Sequence, residues 1–223
     1  MIKSKIVFLC NLLVCIGLFG CSSSEGIALG DLTIDENASP VIHLLNDDPY
    51  SGRVFQYEKG TEFLSSEFYL LDGVFNGSYV EFFPGGLLKH IAFFDKGILN
   101  GLEEHYFENG QLKESVNYVQ GNFNGKRMVY WSNGILKEQN SFSNGILGGE
   151  NLFYYSDGKL RKRLKFDTRG KRDGKWEDFH PNGQLKLRVE YKNGTQLSTS
   201  APLHPHGNIT LHHSPLATSL RPP

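Results

Sequence analysis

Three cysteines in 223 residues leave little room for sulfur chemistry. Cys10 and Cys15 lie within an apolar N-terminal stretch that would be removed with a leader, so Cys21 alone remains, and no intramolecular disulfide framework can form. Charge of one sign is also missing. With 23 Lys and Arg against 24 Asp and Glu, the net charge of −1 provides none of the broad positive field that captures nucleic acid, and nucleic acid is an unlikely partner. No second long apolar run follows the first, which excludes a multi-pass helical membrane protein. Catalytic signatures are absent too: there is no Gly-x-Ser-x-Gly elbow, phosphate-binding Gly-x-x-x-x-Gly-Lys, His-Glu-x-x-His or Cys-x-x-Cys. The adjacent carboxylates Glu103 with Glu104 and Glu177 with Asp178 face opposite ways in a strand and cannot act as an acid/base pair. The expectation is a non-enzymatic chain without cofactor or metal.

What is present begins with an address. Lys3 and Lys5 precede the apolar run Ile6 to Phe19, then Gly20 and Cys21, which is the order of a secretory leader over residues 1–20. Leu18-Phe19-Gly20-Cys21 before Ser22-Ser23-Ser24 resembles the lipobox of bacterial lipoproteins, although Phe19 stands where that motif usually has a small residue. The resemblance implies that Cys21 is lipidated and becomes the mature N-terminus. It also implies an envelope location anchored in the membrane, and Ser22 in place of Asp implies the outer membrane where a cell has one. Acyl chains contribute ~0.8 kcal/mol per buried methylene, so two or more anchor a protein stably. From Cys21 to Asp48 there are acids (Glu25, Asp31, Asp35, Glu36, Asp47, Asp48) and no Lys or Arg, which predicts an acidic solvated tether over 21–48 with room for a short strand at Val41 to Leu45.

The organising feature is an internal repeat. Glycines recur every 24 residues in three series: Gly77, Gly101, Gly125, Gly149, Gly174; Gly86, Gly110, Gly134, Gly158, Gly183; and Gly97, Gly121, Gly145, Gly170, Gly194. One residue is inserted near Thr168 to Lys171. Five units fill 74–194, and a degenerate first copy with Gly52, Tyr57 and Gly60 occupies 49–73. In each unit the second glycine closes Gly85-Gly86, Asn109-Gly110, Asn133-Gly134, Asp157-Gly158 or Asn182-Gly183, pairs suited to a two-residue type I′ turn between aromatic and β-branched stretches. Each unit therefore reads as a β-hairpin, with a looser connection at sites such as Gln120-Gly121. Hairpins are marginal alone and must pair edge to edge, which makes the fold class all-β: an elongated, single-layer antiparallel meander roughly 45–50 Å long for five units.

Asn124-Gly125-Lys126, Tyr130 to Glu138 and Phe142 to Gly145 resemble the MORN-repeat variant of bacterial proteins labelled as the YwqK-type antitoxin family. The resemblance implies a binding module with no catalytic residues to carry over. A chain with an export signal would not meet a cytosolic toxin.

A two-residue turn fixes the faces by counting outward. On one face Phe83 meets Leu88, Phe107 Leu112, Trp131 Leu136, Tyr155 Leu160 and His180 Leu185, continued by Val116, Leu164 and Val189 and by Phe94, Tyr118, Phe142, Phe166 and Tyr191. The opposite face would pair Phe82 with Lys89, Tyr106 with Lys113, Tyr130 with Lys137, Tyr154 with Arg161 and Phe179 with Lys186. That aromatic and cationic ladder either shields its own rings or serves as a binding surface for a protein or cell-wall polysaccharide. Arg163, Lys165, Arg169, Lys171 and Arg172 form a candidate basic patch for an acidic partner, or else a charged edge that resists aggregation. The Pro- and His-rich tail 195–223, with His204, His206, His212 and His213, reads as disordered. Together these features predict a lipid-anchored, non-catalytic envelope scaffold for a protein partner. An immunity-like protein that neutralises one partner and a wall-polysaccharide binder are the alternatives.

Overall fold

Glycine occupies both kinds of turn in each repeat, and its backbone freedom decides what each turn becomes. The computed structural model describes residues 26–200. At the hairpin tips the loop has three residues: Phe107 N–H donates to Gln111 O at 2.8 Å and Gly110 N–H to Phe107 O at 2.9 Å. Gly110 alone takes positive φ, at 80°, and Asn109 does not. This tip is thus a type I turn closed by a left-handed glycine, as are those at Gly134, Gly158 and Gly183, whereas Gly85 and Gly86 both take positive φ; in each of these five the loop has three residues and the expected two-residue I′ turn is not there. The I′ turns lie at the junctions read as looser connections, where both residues are left-handed: Gln120 at 48° with Gly121 at 75°, and Asn144 at 47° with Gly145 at 77°. Asn109 serves a different purpose. Its Oδ1 accepts from Gln111 N at 3.1 Å, and its Nδ2 donates to Ser132 O of the next hairpin at 2.9 Å. Asn133 repeats both contacts with Ile135 and Ser156.

The strands follow in chain order. A short N-terminal part contains β1 (Ile27–Ala28), a 3-10 turn (Leu29–Asp31), β2 (Thr33–Asp35), β3 (Ile42–Leu45) and β4 (Asp48–Pro49). The hairpins are β5 (Gly52–Tyr57) with β6 (Leu64–Leu71), and β7 (Val74–Phe82) with β8 (Leu88–Asp95). Next come β9 (Ile98–Leu99), β10 (Gly101–Tyr106) with β11 (Leu112–Val119), β12 (Asn122–Phe123) and β13 (Gly125–Tyr130) with β14 (Leu136–Ser143). β15 (Ile146–Tyr154) with β16 (Leu160–Phe166), β17 (Gly174–Phe179) with β18 (Leu185–Lys192), and β19 (Thr195–Ser200) complete the described residues. Nearly every strand pairs with its neighbours in sequence, giving one 16-stranded sheet that is antiparallel except where β1 lies parallel to β5. The expected long antiparallel meander is what the chain forms. Backbone bonds also tie equivalent turns together, as from Gly121 N to Leu99 O and Gly145 N to Phe123 O, both at 2.8 Å. The inserted residue is absorbed at Asp167 to Lys171, where a three-residue loop replaces the I′ turn.

A single layer buries little. Among the described residues only Val54, Phe68, Leu70, Ala92 and Val116 are buried apolar side chains. Three of them form the core proper under the N-terminal part, where Ile27, Leu29, Leu32 and Tyr50 pack on Val54, Phe68 and Leu70. His43 completes this cap, its ring 5.3 Å from Phe75 and its Nδ1 3.0 Å from Gly73 O. From Gly26 onward, then, the stretch expected as a solvated tether is built into the fold. β2, β3 and β4 form their own three-stranded sheet. Average acidity hid a few apolar residues at strand spacing that cover the otherwise open first hairpin. At the other end Thr195 to Ser200, expected as the start of a disordered tail, form an exposed edge strand instead, because their backbone pairs with β18. The expectations for Cys21 and for 201–223 lie outside the described residues.

Candidate functional site

Register positions every candidate side chain, and here the structure corrects the counting. Tyr106 pairs with Leu112 and His105 with Glu114, so Lys113 is an extra, bulged residue. The same bulge recurs beside Phe82, Tyr130, Tyr154 and Phe179, which face Leu88, Leu136, Leu160 and Leu185. The expected pairs of Phe82 with Lys89, Tyr106 with Lys113, Tyr130 with Lys137, Tyr154 with Arg161 and Phe179 with Lys186 are not formed, because the longer tip loop shifts one strand by a residue. The cations go elsewhere. Lys89 meets Glu81 at 3.3 Å, Lys113 lies 5.9 Å from the Phe107 ring, Lys137 4.7 Å from Trp131, and Arg161 6.0 Å from Phe153. The tyrosines run along their own strands: the Tyr106 hydroxyl donates to Glu104 at 2.7 Å and that of Tyr130 to the Met128 sulfur at 3.6 Å.

One face of the sheet is aromatic beyond the cap. Phe75 lies 5.2 Å from Phe94, Phe123 bridges Tyr118 at 5.0 Å and Phe142 at 5.1 Å, and Trp176 bridges Phe166 and Tyr191, each at 5.1 Å. The expected stripe of Phe94, Tyr118, Phe142, Phe166 and Tyr191 is present, with Phe123 and Trp176 as its links. Arg172 lies over two of these rings, 4.5 Å from Trp176 and 5.2 Å from Tyr191. A groove of about 370 Å³ opens where the cap ends, lined by His43, Phe68, Phe75, Tyr79, Glu81 and Lys89 among others.

The opposite face is ionic. Glu177 is buried at 6% exposure and accepts from Arg163 Nη1 at 3.1 Å and Arg188 Nε at 2.9 Å. Arg163 also reaches Glu150 at 3.3 Å, and a groove of about 510 Å³ is lined by these residues with Lys165, Lys175 and Glu190. The candidate basic patch is thereby divided. Arg163 and Lys165 belong to the ionic face, Arg172 to the aromatic one, and Arg169 and Lys171 to the inserted loop, where Asp167 accepts from both backbones at 2.9 Å. Those two hydrogen bonds, with the Arg169 guanidinium, hold the Asp167 carboxyl below its ordinary range.

Sequence reasoning missed a third arrangement. Glu81 pairs with His90, His90 with His105, and His105 with Glu114, a row of directly opposed residues across four strands. Glu103 stands two residues before His105, on the same side. His90 Nε2 and His105 Nε2 lie 3.0 and 3.5 Å from the same Glu103 oxygen, and the two rings stack at 4.2 Å. Burial lowers the His105 pKa, assisted by His90 and opposed by Glu103. Glu103-x-His105 was the available signal, but its meaning depended on bringing His90 across from another strand.

Three stretches, residues 99–120, 147–167 and 172–193, match the family described as MORN repeat variant. No curated protein is significantly similar to the chain. The matched stretches coincide with the hairpins β10/β11, β15/β16 and β17/β18, while β7/β8 and β13/β14 repeat the same pairing and the same bulge between them. The chain is a repeat protein whose long antiparallel sheet carries MORN-variant repeats.

Proposed function

We propose that this sheet is a non-catalytic interaction scaffold, held at a bacterial envelope by lipid on Cys21, that presents its open aromatic face to a protein partner. One observation carries the reading. Past the N-terminal cap, two half-buried aromatic clusters, Tyr118, Phe123 and Phe142 and then Phe166, Trp176 and Tyr191, line one face of a single-layer sheet with no second layer of the described chain covering them. Apolar side chains left partly accessible in a row suit an interaction site. MORN repeats are generally non-enzymatic, and the leader order with Cys21 supports the anchor. Arg172, lying over Trp176 and Tyr191, gives the last cluster a polar rim, as protein interfaces have.

The test has two arms. Cys21→Ala should move the protein from the membrane to the soluble fraction, and undiminished retention would refute the anchor. Chemical crosslinking on intact cells, followed by capture, should recover one saturable protein partner that is lost when Phe123 and Phe142 are replaced by Ser together. Binding to purified peptidoglycan that survives this change but fails in the Tyr106, Tyr130 and Tyr154 triple Ala variant would overturn the protein-partner reading in favour of a wall-polysaccharide binder.

A further inference from the structure

The His90, Glu103 and His105 cluster has no counterpart elsewhere in the repeat. One repeat before and in the three repeats after, the position of Glu103 holds Tyr79, Arg127, Asn151 and Trp176; that of His105 holds Glu81, Val129, Phe153 and Asp178. In the next hairpin the middle residue is a cation: Arg127 bridges Glu114 at 2.6 Å and Glu138 at 3.7 Å. The junction of β8 and β10 reverses this polarity by setting a carboxylate between two imidazoles. Glu103 is only 14% exposed and its sole charged contacts among the described residues are those two rings. The nearby cations serve other carboxylates, Lys89 pairing with Glu81 and Arg127 with Glu114.

We propose that His90, Glu103 and His105 bind a divalent transition metal ion of the zinc class. Zinc takes His nitrogen at about 2.0–2.1 Å and carboxylate oxygen at about 2.0–2.2 Å, so tetrahedral ligand atoms sit roughly 3.3–3.5 Å apart. The two nitrogen to oxygen separations are 3.0 and 3.5 Å, and all three ligand atoms lie within 4.8 Å of one another. The two rings stack face to face, inclined by 2°, so their in-plane lone pairs run parallel, and holding one ion requires one imidazole to turn about its Cβ–Cγ bond until both Nε2 atoms converge beside the Glu103 oxygen. Register rather than a flexible loop holds the set, since His90 and His105 are direct cross-strand partners on β8 and β10. Binding needs each imidazole neutral with its proton on Nδ1. For His90 that nitrogen faces Glu81 Oε2 at 3.9 Å, and Glu81 is itself held by the Tyr79 hydroxyl at 2.8 Å. At 3.9 Å, with the same oxygen paired to Lys89, Glu81 is beyond hydrogen-bond reach of the ring and would orient it, as carboxylates commonly do for metal-bound histidines, once the imidazole turns toward it. On the outer side His105 is 40% exposed, which leaves an entry path and a fourth position for water. Two imidazoles and a carboxylate suit zinc, nickel or copper better than calcium or magnesium.

The experiment titrates the metal-stripped full chain with zinc chloride, read by calorimetry and by histidine ring resonances. One equivalent should bind, and the rings of His90 and His105 should shift in the unsubstituted chain, a readout that needs no variant to fold. His90→Gln and His105→Gln should each weaken binding by at least about tenfold, and Glu81→Gln by about tenfold while retaining one site. A chain with His204, His206, His212 and His213 replaced by Gln should bind as before. Unmoved His90 and His105 resonances at saturating zinc, or binding abolished only by the tail replacements, would overturn the assignment.

Discussion

Replacing Glu177 by Ala tests whether the ionic face is a structural element of the sheet or only a solvated surface. The carboxylate side chain is 5% exposed and receives two charged hydrogen bonds, at 3.1 Å from Arg163 Nη1 and at 2.9 Å from Arg188 Nε, with Arg188 Nη2 in ion-pair contact at 2.7 Å. A hydrogen bond to a charged group contributes about 1.5–3 kcal/mol net. Both arginines are 44% exposed, however, so water screens them and rehydrates them once the carboxylate is gone. Allowing about 1 kcal/mol for each contact, Glu177→Ala should cost roughly 2–3 kcal/mol, and Glu177→Gln about half of that. At about 2–4 °C per kcal/mol for a chain of this size, the Ala variant should melt roughly 4–12 °C lower. Each hairpin touches only its neighbours, so the loss should be local. Amides of β16, β17 and β18 should exchange faster in the variant, and those of β10 and β11 should not. A double-mutant cycle with Arg188→Ala should give a coupling of about 1–2 kcal/mol. A stability change below about 0.5 kcal/mol, with exchange in β17 unaltered, would refute the reasoning, since a surface ion pair of no consequence behaves that way.

Two further tests address the turns and the phenols. Gln120 sits at φ 48° in a type I′ turn whose equivalents in later repeats are Asn144 and Asn193. Gln120→Asn should therefore stabilise the chain by about 0.5–1 kcal/mol in urea denaturation, and no gain would mean that the junction is not held left-handed. Burial, then the hydrogen bond to Glu104, pushes the Tyr106 phenol up to about 12. A phenol raised in the fold contributes stability that is complete below its unfolded value near 10 and is lost as pH rises through the folded value. Phenolate absorbance should show Tyr106 ionising late, and Tyr106→Phe should remove one phenol from the high-pH arm of the curve; removal from the ordinary arm would contradict the placement.

The repeat period, the number of hairpins, the absence of α-helix among the described residues and the aromatic positions of one face were all readable from residue order. Glycine spacing and β-branched or aromatic runs are local properties, and Phe94, Tyr118, Phe142, Phe166 and Tyr191 keep their face whatever happens at the tips. The tertiary structure decided what local chemistry leaves degenerate. Asn-Gly fits both a two-residue and a three-residue loop, and Asn109 and Asn133 settle on the latter while their side chains bond to the next hairpin. That one-residue difference moves Lys89, Lys113, Lys137 and Arg161 off their expected partners, because strand pairing transmits a shift at the turn to the bulge beside it. The same pairing brings His90 against His105 from 15 positions away along the chain. It also folds the acidic N-terminal segment onto Val54, Phe68 and Leu70, where average composition promised only a solvated strand of chain. Sequence determined the unit because a hairpin is specified by its own residues; contacts between units, which no unit encodes alone, determined the register and the sites.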